Sequence, residues 1–212
     1  MDGFLNLNKP KGITSAKAVD EVKRILGVRK AGHAGTLDPH ATGVLVVGIG
    51  KATKLLPFVT EMEKEYVATV KLGVETDTLD AEGQVVWRAP VPELSEEEFN
   101  EVLGEFLGEI EQIPPAYSAV RVQGERLYAL AREGIWVQVR PKKVYVYELE
   151  LLKLGSDTAV IRAVVSKGTY LRALVRDIAR RLGTRGIVQE LVRTRVGHFR
   201  IENAVPLEPE EV

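Results

Sequence analysis

The sequence predicts an α+β fold, with a mixed or antiparallel central sheet flanked by helices and a small inserted flap. Segments that alternate in hydropathy are interspersed irregularly with segments of helical period, unlike the regular strand and helix repeat of a doubly wound sheet. Two long alternating segments are joined by a Gly-Ser-Asp turn, a hairpin signature. The 212 residues, 45 % of them hydrophobic, can bury a full core as one domain, and the absence of cysteine means that core needs no disulfide.

Taken in order, Phe4 to Asn8 alternates as a short strand, and Thr14 or Ser15 can cap a helix whose apolar stripe is Val19, Val22, Ile25 and Leu26. A glycine-rich loop follows from Gly27. Val44 to Ile49 reads as a buried strand from its branched residues, and the segments around Tyr66 to Leu72 and Gln84 to Arg88 as two more. Ser95 and Glu98 form a capping box before a helix carrying Phe99, Val102, Leu103 and Phe106. Prolines 114 and 115 end that unit. A basic stretch of about 116–140 with a short helix near Leu127 to Ala131 is expected to be a flap. Val144 to Leu154 and Ala159 to Val165 pair as strands, and a helix runs from about Tyr170 to Leu182.

Composition excludes several chemistries. Without cysteine there is no thiolate zinc site and no thiol nucleophile, which leaves a carboxylate, a hydroxyl or a lysine. His33, His40 and His198 lack the i, i+4 spacing of a helical metal pair, so no metal is expected. Gly48, Gly50 and Lys51 suggest a phosphate loop, but Leu45 stands where its first glycine belongs and Ala52 where a magnesium-binding hydroxyl is required. No apolar run approaches the roughly 20 residues of a membrane span, and the N-terminus lacks a signal peptide's order. The expectation is a soluble cytoplasmic protein. The net charge of −1 conceals segregation: residues 1–60 carry +5, 61–115 carry −12, 116–200 carry +10 and 201–212 carry −4. The two basic stretches would form a phosphate-binding surface if they share a face, and are solvated scatter if they do not.

One loop concentrates unusual residues. Gly32 to Gly43 (GHAGTLDPHATG) holds glycines 32, 35 and 43, His33, Thr36 and the pair Asp38-Pro39. Glycine permits close backbone approach to a ligand, and a residue before proline is held extended. Asp-Pro also suits a turn or a helix cap, so local chemistry leaves Asp38 as either. A second hint lies in the later helix, where Arg172, Arg176 and Arg180 line one side. With Thr169 as the cap, Arg172 would occupy the third helical position, against the helix dipole. An anion facing Arg172 would offset that cost. A solvated arginine would cost a few tenths of a kcal/mol.

Five collinear segments extend the pattern: NLNKPKGITS (Asn6 to Ser15), GHAGTLDPHATG, GKATK (Gly50 to Lys54), EYVATVKLGVETDTLDAEG (Glu65 to Gly83) and SKGTYLRALVRDI (Ser166 to Ile178). Together they resemble the TruB-type tRNA pseudouridine-55 synthases over nearly the whole chain. The resemblance implies a pseudouridine-synthase fold acting on the T-arm of tRNA without metal or cofactor, and the protein is expected to be a monomer. It implies Asp38 as catalytic carboxylate, Arg172 as its ion-pair partner, Tyr66 as the aromatic stacked on the flipped base, and His33 as the histidine that enters the RNA loop. Tyr170 and Leu191 would line the uridine pocket, and Lys9, in the family's lysine-proline strand end, would bind the substrate. Departures are His40 for an apolar residue, Val46 for proline, and Val192-Arg193 for two arginines. Residues 1–205 are read as the catalytic domain and 206–212 as an acidic tail, where relatives continue into a small C-terminal RNA-binding domain. The rival readings are an RNA-guided enzyme of the dyskerin type and a tRNA-folding chaperone or binding module.

Overall fold

The structure, a computed structural model, describes residues 1–116, 121–122, 125–135 and 139–208. In chain order the strands are β1 (Gly3–Lys9), β2 (Ala31–Ala34), β3 (Thr42–Ile49), β4 (Lys64–Leu72), β5 (Val74–Thr76), β6 (Val85–Arg88), β7 (Gly108–Gln112), β8 (Arg121–Val122), β9 (Glu125–Arg126), β10 (Lys142–Leu154), β11 (Thr158–Val165), β12 (Gly186–Val196), β13 (Phe199–Arg200) and β14 (Val205–Pro206). The helices are α1 (Ser15–Leu26), α2 (Leu56–Thr60), α3 (Glu96–Glu105), α4 (Leu127–Arg132) and α5 (Leu171–Arg181). The chain divides into two units, Met1–Val67 with Leu191–Val212, and Ala68–Glu190.

In the first unit β3 pairs antiparallel with β1, from Gly3 opposite Ile49 to Lys9 opposite Gly43, and antiparallel with β2. It also pairs in parallel with β12 at Val192 and Arg193, and β1 pairs in parallel with β14, so the sheet is mixed as expected. The branched run of β3 is buried on both faces. Leu45, Val47 and Ile49 join Leu7, Val19 and Val22 beneath α1, while Val44 and Val46 join Ala34, Val59 and Val196. Each such side chain contributes about 1.5–3 kcal/mol of transfer free energy, so β3 is the strand around which this unit condenses.

Thr14 is the cap of α1, its hydroxyl accepting from the Lys17 amide, and left-handed Gly27 ends the helix. Val19 and Val22 are buried, but Ile25 and Leu26 are exposed, so the predicted stripe stops short of the last turn. Within the stretch expected to be loop from Gly27, residues 31–34 form β2. Its extended form comes from pairing to β3, which a segment containing Gly32 does not signal by side-chain alternation.

In the second unit β10 is flanked by β11 and β7, both antiparallel, and the Gly155 amide closes the predicted turn onto the Thr158 carbonyl. The Ser95 and Glu98 capping box is present at the start of α3, with Phe99, Val102 and Leu103 buried. The predicted cap of α5 is corrected. Tyr170, not Thr169, is the N-cap residue and no side chain caps it, while the Thr169 hydroxyl bonds Ser166. Arg172 therefore stands at the second helical position. Of the proposed flap, 117–120, 123–124 and 136–138 lie outside the described residues, as do 209–212 of the proposed tail. No helix among the described residues is long and apolar enough to cross a membrane.

Candidate active-site loop

The stretch from Gly35 to Val44 carries Asp38 at an exposed position beside buried Leu37. Side chains and backbone from separate elements hold it. Ser15, buried at the start of α1, accepts from the Leu37 amide at 2.9 Å and donates to the Leu37 carbonyl at 3.0 Å. Lys9, at the end of β1 and fully buried, donates its ammonium to the carbonyls of Pro10, Ile13 and Pro39 at 2.9, 2.8 and 3.2 Å. The Gly12 amide donates to the same Pro39 carbonyl at 2.8 Å. Arg193 of β12 donates from Nη2 to the Gly35 carbonyl at 3.0 Å and from Nε to the Val44 carbonyl at 2.8 Å.

These contacts explain why the sequence needs NLNKPKGITS alongside GHAGTLDPHATG. The first segment supplies the donors and acceptors that fix the backbone on either side of Asp38. Gly43 meets a related demand: its φ is +107°, and a Cβ there would lie 2.1 Å from the Arg193 carbonyl oxygen, so only glycine lets β12 pair with β3. The Ala41 amide donates to the Asp38 carbonyl at 3.0 Å, closing a turn over Pro39.

The electrostatics follow from burial. Desolvation pulls Lys9 from its ordinary value of 10.5 down to about 8, the charge of Asp38 opposing this and that of Arg193 adding to it. Burial also lowers His33, with Arg193 contributing, which favours a neutral imidazole. The buried His33 Nδ1 has no hydrogen-bond partner among the described residues. Tyr66 on β4 and Leu191 on β12, both half-buried, pack against the same apolar cluster as Leu37 and Ala41, so the first unit gathers Asp38's loop, Tyr66 and Leu191 around one core.

Tyr170 and Arg172 belong to the second unit. The Gln112 side chain, 1 % exposed, accepts from the Tyr170 amide at 3.1 Å and donates to its carbonyl at 3.3 Å. Arg172 donates from Nη1 to the Thr78 carbonyl at 3.0 Å. The other three arginines of that helix have partners in the same unit, Arg181 pairing with Glu105. Arg176 is buried against Asp177 and the Ile113 carbonyl, and Arg180 pairs with Glu75. Ser15, Gln112 and Arg193 were not legible as site residues. Nothing in the sequence around Arg193 marks it as buried, since a charged residue is ordinarily exposed.

Solved structures define the class first. Over 97 % of its length the chain matches a chain of a Cbf5–Nop10–Gar1 complex, with a TM-score of 0.76 and 34 % identity, and over 96 % it matches a chain of an H/ACA RNP bound to a substrate RNA containing 2′-deoxyuridine, with a TM-score of 0.72 and 32 % identity. It spans about half the length of those chains, 52 % and 50 %. The fold is that of the pseudouridine synthases, isomerases built on a mixed sheet flanked by helices. The model of the TruB family pseudouridylate synthase N-terminal domain matches residues 23–171, and that of the tRNA pseudouridylate synthase B C-terminal domain matches 172–209. The chain belongs to the TruB family. Among its relatives named tRNA pseudouridine synthase B, that of Francisella philomiragia is 47 % identical over 98 % of this chain and 69 % of its own length. That of Caldanaerobacter subterraneus is 49 % identical over 98 % and 73 %.

Proposed function

We propose that this protein isomerises a uridine to pseudouridine at position 55, in the T-arm loop of tRNA, acting in the cytoplasm as a monomer and without cofactor. The observation that carries the reading is the immobilised loop around Asp38, fastened at Gly35, Leu37 and Pro39 while Asp38 itself stays exposed. A carboxylate presented in this way suits a reaction in which uracil leaves C1′ of the ribose through N1, turns, and rejoins through C5, which then loses its proton to solvent while N1 gains one. No redox step or energy source is needed.

In this reading Asp38 acts at C1′, either by attack or by stabilising positive charge, and Arg172 is its ion-pair partner. Uridine first leaves the stack at a cost of a few kcal/mol, and stacking on Tyr66 returns about 1–3 kcal/mol of it. Tyr170 and Leu191 line the pocket. His33, neutral and with an unpartnered Nδ1, enters the RNA loop. Lys9 acts through the loop, because its three N–H groups are taken by protein carbonyls. Residues 1–205 form the catalytic domain, and 116–140 are the flap that contacts RNA.

Asp38→Asn is expected to abolish tritium release from C5-labelled uridine in a tRNA transcript while leaving tRNA binding nearly intact. Unchanged turnover would overturn the assignment. Release from free transcript by the purified protein alone separates this reading from guide-dependent action, and the relatives at 47 % and 49 % identity are named for tRNA as substrate.

A further inference from the structure

Arg193 is 1 % exposed and ranks among the largest fully buried side chains. Among the described residues its guanidinium bonds no carboxylate, and both hydrogen bonds go to carbonyls. A buried guanidinium without a bonded counter-charge is costly to desolvate, so an apolar residue would serve better if the position needed only to be filled. The two acceptors explain the choice. Gly35 opens the loop that carries Asp38 and Val44 is the third residue of β3, the strand that follows it; one planar fork reaches both, a geometry that a single-point donor cannot reproduce.

The fork itself is held firmly. The Arg193 backbone pairs with Gly43 in the parallel β3 to β12 contact, and Gly43 lacks the Cβ that would force the strands apart. A Cβ at Gly35 would come within 3.4 Å of Arg193 Nη1, so the loop backbone rests directly on the guanidinium. We propose that Arg193 is a positioning residue of the reaction: it ties the start of the Asp38 loop to the strand that follows that loop and so fixes where the carboxylate stands. Its effect is on the rate of the bound complex and not on affinity for RNA. This rests on the proposed function of Asp38 and deepens it.

The test compares Arg193→Lys and Arg193→Met with the wild type on a C5-tritiated tRNA transcript. It measures the single-turnover rate at saturating enzyme, the tRNA Kd by filter binding, and thermal unfolding. A displacement of about 1 Å in a reacting group costs on the order of 100-fold in rate. The expected result is a rate reduced about 10- to 100-fold in the Met variant and less in the Lys variant, which can still reach one carbonyl. The Kd stays within about twofold and both variants fold. Amide hydrogen exchange over Gly35 to Ala41 should rise in both, with protection of β1 and α1 unchanged. An unchanged rate in folded Arg193→Met, or a loss confined to Kd, overturns the proposal. So does failure of both variants to fold, which would make Arg193 a residue of the scaffold alone. Wild-type protein that forms no pseudouridine in the transcript would instead overturn the functional reading beneath it.

Discussion

Ser15 and Leu37 are joined by two hydrogen bonds through one hydroxyl, which accepts from the Leu37 amide at 2.9 Å and donates to the Leu37 carbonyl at 3.0 Å. The residue after Leu37 is Asp38. A side chain at the first position of a helix thus satisfies both polar groups of the buried backbone that precedes the exposed carboxylate.

Ser15→Ala leaves the Leu37 amide and carbonyl without their partner in a buried setting. The expected loss is about 1–3 kcal/mol of unfolding free energy, read by urea denaturation. Pseudouridine formation should fall by more than stability alone explains, because the Leu37 backbone orients Asp38. An unaltered denaturation midpoint would show that the two bonds contribute nothing net.

Lys9 makes stability depend on alkaline pH. Its folded value of about 8 lies below its ordinary 10.5, so between those pH values the unfolded chain binds more protons than the folded one. Stability therefore rises as pH goes from about 8 to 10.5, by on the order of 3 kcal/mol from this group, and below pH 8 the group adds no slope. Lys9→Met should be destabilised near pH 7, since three carbonyls lose their donor, and should lack the rise. Urea denaturation of both proteins at pH 7.5 and 10 measures it. Equal slopes would contradict the burial of this ammonium.

Gln112→Leu tests the start of α5. The glutamine amide bonds both the N–H and the C=O of Tyr170, where no side-chain cap exists. Replacement should cost about 1–3 kcal/mol and lower the rate of isomerisation, since Tyr170 and Arg172 stand on the backbone it holds. Retention of both stability and rate would show the helix start to be fixed by other contacts.

Much of the fold was legible because its signals are local. Thr14 as a cap, Ser95 with Glu98 as a capping box, the branched run of β3 and the turn at Gly155 each depend on residues a few positions apart, and each formed as read. The expectation for Thr169 failed on a non-local cause. The Tyr170 backbone is bonded by Gln112, 58 residues earlier in the chain, so the helix starts one residue later than its hydroxyl pattern suggests. Strand β2 was read as loop for a similar reason, since pairing with β3 makes it extended.

The sequence by itself determined the α+β class and the family, because collinear motifs and hydropathy periods are properties of the chain. Tertiary structure alone decided how the Asp38 loop is held. Lys9 and Ser15 look like a strand end and a helix start, and Arg193 like an ordinary exposed charge 158 residues from Gly35. They act on one loop only after the sheet has formed, because hydrogen bonds to backbone carbonyls carry no signature in the sequence that accepts them. Any residue offers the same carbonyl, and only the fold selects which one is reached.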